Sequence, residues 1–127
     1  MKPEYLQLVR RAAEARKNAY APYSGFAVGA ALLCTDGTVF TGCNVENASY
    51  PAGICAERSA LSAAVSAGKR RFAAIAVAAG ENPTPPCGIC RQALAEFGDL
   101  DVLCADQNGS RCRVFSLREL LPVSFSL

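Results

Sequence analysis

A chain of 127 residues, 51% hydrophobic and 19% charged, has the length of one domain, predicted to run over 1–127, and enough apolar material for a core without staples. The formal net charge is +2 and the longest basic run is Lys69-Arg70-Arg71, the pattern of a solvated helix end rather than of a nucleic-acid surface. No run of about 18 apolar residues is present to span a membrane, the charged opening MKPEYLQLVRRAAEARK lacks the apolar centre of a signal peptide, and seven cysteines in an odd set read as thiols of a reducing cytoplasm.

From Glu4 to Tyr20 the positions Tyr5, Leu8, Val9, Ala12, Ala13 and the stem of Arg16 recur at helical spacing and predict a surface helix. FAVGAALLC (26–34) and VFTGC (39–43) are strand-like, and Asp36-Gly37 between them predicts a hairpin, because both residues accept positive φ. NVENASYPAG (44–53) is a loop, and the alanine-rich segment from Cys55 to Gly68 is a helix. FAAIAVAA (72–79) reads as a buried strand, although its alanines suit a helix as well. A second helix over 87–98, a strand over 101–105, a turn at DQNGS and a strand over 111–115 follow. Ser116 stands three residues before Glu119, the capping box of a short last helix that Pro122 ends.

The order α-ββ-α-β-α-β-β-α fixes the strand directions. Strands joined through helices run parallel, so those ending at Cys43, Ala79 and Ala105 point the same way, and the first and last strands oppose them. The expected fold is α/β: three layers, α-β-α, around a five-stranded mixed sheet.

Helix N-termini gather at the C-terminal ends of such strands, where ligands bind. Cys55 opens one helix and Cys87 and Cys90 open the next, so three thiols face one end of the sheet, together with Asn44, Glu46 and Phe26. Cys34 lies at the far end of the hairpin. Cys43, Cys104 and Cys112 read as small buried hydrophobes, although Cys43 is at the right end to be a fourth ligand. Helix dipoles favour the thiolate form, and three sulfurs favour zinc over magnesium or calcium. Three protein ligands and an open position describe a catalytic zinc site, one ion per chain.

Glu57 alone reads as a first-turn acid; beside three thiolates it reads as the group that moves protons in a chain with no histidine. Arg58 is either a surface arginine or a donor to the sulfurs, offsetting the net negative charge of three thiolates around a divalent ion. Asn44 and Glu46, two apart on an extended segment, point the same way and could bracket a diol, or could be polar turn residues.

The blocks YAPYSGFAVGAAL (20–32), GCNVENASY (42–50), CAERSA (55–60) and PCGICRQ (86–92), in that order, closely resemble the small homotetrameric cytidine deaminases with a three-cysteine zinc site, and the similarity runs to ELLPVSF near the C-terminus. The resemblance implies hydrolysis of cytidine and 2′-deoxycytidine to uridine and 2′-deoxyuridine in pyrimidine salvage. Zinc-bound hydroxide would attack C4 and Glu57 would carry the protons. By the same resemblance Phe26 contacts the base, Asn44 and Glu46 hold the ribose hydroxyls, and the backbone of Ala56 reads the pyrimidine carbonyl. The resemblance also implies that Ala48, Tyr50 and Phe125 reach a neighbouring subunit's site. One departure is the short tail: two residues follow Phe125, which would leave its ring loosely held. Three other readings stay open: a deaminase of another aminated nucleoside, a structural zinc module with Cys43 as fourth ligand, and a thioredoxin-like redox pair at Cys87 and Cys90.

Overall fold

The computed structural model describes every residue from Met1 to Leu127. Helix α1 (Pro3–Ala15) leads through a 3₁₀ turn (Arg16–Asn18) to strands β1 (Val28–Cys34) and β2 (Val39–Cys43). Helix α2 (Ala56–Ser66), strand β3 (Phe72–Ala79), helix α3 (Gly88–Ala95), strands β4 (Asp101–Ala105) and β5 (Cys112–Ser116) and helix α4 (Leu117–Leu120) follow. The strands form one sheet in the order β2-β1-β3-β4-β5. Only β3 and β4 pair in parallel; β1 runs antiparallel to both β2 and β3, and β5 antiparallel to β4. The mixed five-stranded sheet and the strand directions expected from the sequence are therefore present.

The central strand explains the layers. In FAAIAVAA, Ala74, Ala76 and Ala78 face α1, where they pack with Tyr5, Leu8, Val9 and Ala12. Ile75 faces the other side and packs with Ala60, Leu61, Leu94 and Val102 beneath α2, α3 and α4. A helix would scatter these side chains; the two-residue period of a strand separates a smooth alanine face from a bulkier one. The small face lets α1 lie close. At Gly29 an added Cβ would fall 2.0 Å from the carbonyl oxygen of Ala12.

One local expectation is corrected, and the hairpin forms as expected. The first helix ends at Ala15 rather than Tyr20, because Ala19 turns to ψ 141° and Tyr20 pairs with Val45 in a short bridge. In the hairpin only Gly37 takes positive φ, at +92°. Asp36 stays in an ordinary conformation and its carboxylate accepts from the N–H and hydroxyl of Thr38, so the turn is capped by a side chain. The capping box at Ser116 and Glu119 forms in both directions.

Candidate active site

The N-termini of α2 and α3 converge beside the C-terminal end of β3. Cys55 and Cys87 are the N-cap residues of these helices, and neither side chain caps its own helix. Their sulfurs are left free to face each other at 3.8 Å. Cys90, fully buried on the next turn of α3, completes a cluster whose three Sγ atoms lie within 4.8 Å of one another. A tetrahedron with Zn–S bonds of about 2.3 Å has S···S edges of about 3.8 Å, so this donor set fits zinc by softness and by spacing. Cys43, half-buried at the end of β2, is not part of the cluster, and the reading as a closed structural site has no fourth sulfur. Cys87 and Cys90 are not an isolated pair either, since Cys55 shares their site.

The other cysteines divide. Cys34 and Cys104 are core residues, 2% and 1% exposed. Cys43 and Cys112 are only half-buried, because each ends a strand near solvent.

Arg58 is one turn into α2, and its Nη2 donates to Cys55 Sγ at 3.6 Å. The Cys90 thiol is the main donor holding the Cys55 thiol down at about 5, with Arg58 and Cys87 adding to the effect. The Cys90 thiol is pushed well up, first by its hydrogen bond to Cys55 and then by burial. Cys55 and Cys90 thus titrate as a pair, and the first negative charge settles on Cys55 beside the guanidinium. The Nε of Arg58 is buried without a partner.

Glu57 is 4% exposed, a buried acid in the same first turn. Burial pushes its carboxyl up to about 6, and the neighbouring Cys55 charge adds to that. A carboxyl held there can both take and release a proton near neutrality.

These groups form one wall of an open cavity of about 680 Å³. Nucleoside-sized ligands occupy cavities of this order. Phe26, Asn44, Glu46, Tyr50, Cys55, Ala56, Glu57, Arg58 and Cys87 all line it. Ala48 and Phe125 do not; both are exposed, Phe125 at 70%. Ala56, Glu57 and Arg58 of the first turn of α2 line the cavity, and first-turn N–H groups have no intrahelical acceptors.

Asn44 and Glu46 do lie on an extended segment, since Val45 between them exchanges hydrogen bonds with Ile54. Each also has structural work. Asn44 Oδ1 accepts from the Val28 N–H and its Nδ2 donates to the Phe26 carbonyl, both at 2.9 Å, which holds the lead-in to β1 extended. Glu46 Oε1 accepts from the N–H groups of Tyr23 and Ser24, and Oε2 from the Ser24 hydroxyl at 2.5 Å. These bonds, the Ser24 hydroxyl first, keep the Glu46 carboxyl below its ordinary range and therefore ionised.

Three contributors were not singled out from the sequence. Ser24 and Tyr23 orient Glu46. Arg91 donates to the carbonyls of Pro86 and Leu120, both at 2.8 Å, and so ties the loop before Cys87 to α4. Their place inside the blocks YAPYSGF and PCGICRQ was the available signal, but not which atoms they would bind.

Comparison with known proteins agrees with this geometry. Residues 3–106 match the model of the cytidine and deoxycytidylate deaminase zinc-binding region. The chain is 47% identical over 123 residues to a cytidine deaminase of Sporosarcina psychrophila, with 94% of this chain and 90% of that protein covered. It is 48% identical over 122 residues to a cytidine deaminase of Halalkalibacterium halodurans, covering 94% and 92%. The crystal structure of a cytidine deaminase from Burkholderia pseudomallei superposes with a TM-score of 0.90 at 49% identity, covering 98% of this chain and all of that one.

Proposed function

The chain belongs to the cytidine and deoxycytidylate deaminase family, and on that premise we propose that it hydrolyses cytidine and 2′-deoxycytidine to uridine and 2′-deoxyuridine with release of ammonia. The observation that carries the reading is a buried acid, Glu57, in the same helical turn as one of three convergent sulfurs.

Cys55, Cys87 and Cys90 would hold the zinc, which would acidify a bound water toward neutrality. Glu57 takes the proton of the water that adds at C4 and returns it to N3. It then carries the remaining hydroxyl proton to the amine as the C4–N bond breaks, so the protons balance within one turnover. Arg58 donates to the Cys55 sulfur, which would draw charge from that ligand and help a bound zinc stay electrophilic. The backbone N–H of Ala56 donates to the pyrimidine carbonyl, and Phe26, 45% exposed at the rim, packs on the base. Asn44, with one N–H still unused, and Glu46, with lone pairs still open, take the ribose hydroxyls.

The cavity is open on the side of Tyr50, which is 80% exposed. Ala48 and Phe125, exposed and away from their own chain's cavity, and Tyr50, exposed at its rim, complete a neighbouring copy's site in a homotetramer; the exposure of the two aromatics supports this reading. No helix is long and apolar enough to cross a membrane, and all seven cysteines are free thiols, which suits a reducing cytoplasm. The test is direct. Purified protein given cytidine releases ammonia as the ultraviolet absorbance of the base falls, and a zinc chelator stops both. Absence of turnover in zinc-loaded protein would refute the activity.

A further inference from the structure

The tail after α4 carries Phe125 on an otherwise unsupported segment. Val123 is 90% exposed and Leu127 fully so, and Leu121 makes the last bond back to α4, its N–H donating to Leu117 O. From 122 to 127 the only hydrogen bonds are two, and both go to one side chain. Gln92 Nε2 donates to the Phe125 carbonyl at 2.9 Å, and the Phe125 N–H donates to Gln92 Oε1 at 3.2 Å. One amide thereby closes on both backbone groups of one residue, as a strand neighbour would. The ring itself remains 70% exposed and takes no part in its own chain's cavity.

Gln92 stands two residues after Cys90 on α3, the helix that supplies two of the three sulfurs. Through its hydrogen bonds the tail is therefore registered to the metal-bearing helix alone. We infer that Gln92 is a positioning residue: it fixes the backbone of Phe125 so that the exposed ring is presented in one direction. The destination of that ring, a neighbouring copy's cavity, rests on the function proposed above. The grip of Gln92 on Phe125 is a separate claim, read separately.

The chain has no tryptophan, so Phe125→Trp supplies a single fluorophore at the tail. Adding Gln92→Ala to that variant is expected to lower the fluorescence anisotropy and increase quenching by acrylamide. With the native tail, Gln92→Ala is expected to raise KM for cytidine about tenfold, the scale of two lost hydrogen bonds, while kcat moves less. Combined with Phe125→Ala it should add little, because both changes remove the same presentation. An unchanged tryptophan signal, additive losses, or loss of zinc from Gln92→Ala would each overturn the inference and leave Gln92 an ordinary residue of α3. A loosened tryptophan and a non-additive cycle without complementation between subunits would keep Gln92 in its role and remove only the shared site.

Discussion

Cys55 and Cys87, thirty-two positions apart in the chain, bring their sulfurs to 3.8 Å because each is the N-cap of a helix that starts at the same end of the sheet. Replacing Cys55, Cys87 or Cys90 by alanine should release zinc, and the same change at Cys34, Cys43 or Cys112 should not. Metal analysis of the purified variants decides this. Zinc lost from Cys43→Ala would mean that a fourth sulfur joins the ion.

Glu57→Gln should keep zinc and fold while activity falls about 10²–10⁴-fold, the usual loss for a general acid–base group. The side chain is buried and of equal size, so packing should be preserved. A variant turning over near the normal rate would remove Glu57 from the chemistry, and a variant without zinc would make it a ligand.

Arg58→Gln should retain measurable zinc and lose about 10–100-fold in activity or metal affinity, as outer partners of ligands usually do. Titration with a competing chelator, beside steady-state rates, separates the two. No change in either would return Arg58 to the status of a surface residue.

Two glycines make a controlled pair. A Cβ at Gly42 would fall 2.5 Å from the Ala60 nitrogen and 2.6 Å from the Ala56 carbonyl oxygen. Gly42→Ala must then push the start of α2 away from β2, at a cost of about 1–3 kcal/mol, and displace Cys55 with it. Gly88, between two zinc-site cysteines, has nothing within 4 Å of its Cβ position. Gly88→Ala should leave melting temperature and zinc content nearly unchanged, and calorimetry with metal analysis on both variants tests the contrast.

Subunit mixing tests the shared site. Glu57→Ala should be inactive and Phe125→Ala impaired. Unfolded and refolded together, they should give more activity than the sum of the pure variants, because some sites then combine an intact Glu57 with an intact Phe125 from another chain. No gain, with mixed assemblies confirmed by native mass spectrometry, would confine Phe125 to its own subunit.

The features that could be read beforehand are those with a local chemical signature. Cysteine at the start of a helix, glutamate two places on, and Ser116 with Glu119 each announce themselves within a few residues. The strand directions followed from loop lengths. What stayed hidden depends on partners distant in the chain. Asn44 looks like a ligand residue, and only the fold shows its amide closing on Phe26 and Val28. Gln92 and Phe125 are thirty-three positions apart and carry no shared pattern. Asp36-Gly37 signalled the turn, but not that the Asp36 carboxylate would accept from the N–H and hydroxyl of Thr38. In FAAIAVAA, alanine suits either period, and only the pairing of β3 with both β1 and β4 resolves it.

That central pairing also decides when the donor set can be whole. β3 lies between α2 and α3 in the chain and between β1 and β4 in the sheet. A nascent chain that has emerged only as far as Gly68 contains Cys55, and neither the strand that aligns α3 nor the other two sulfurs. The ion cannot template the fold from a local loop, as it does in a finger whose ligands are near neighbours. The three sulfurs come from the starts of two helices on either side of β3, so the complete donor set exists only once that strand has brought α2 and α3 to the same end of the sheet.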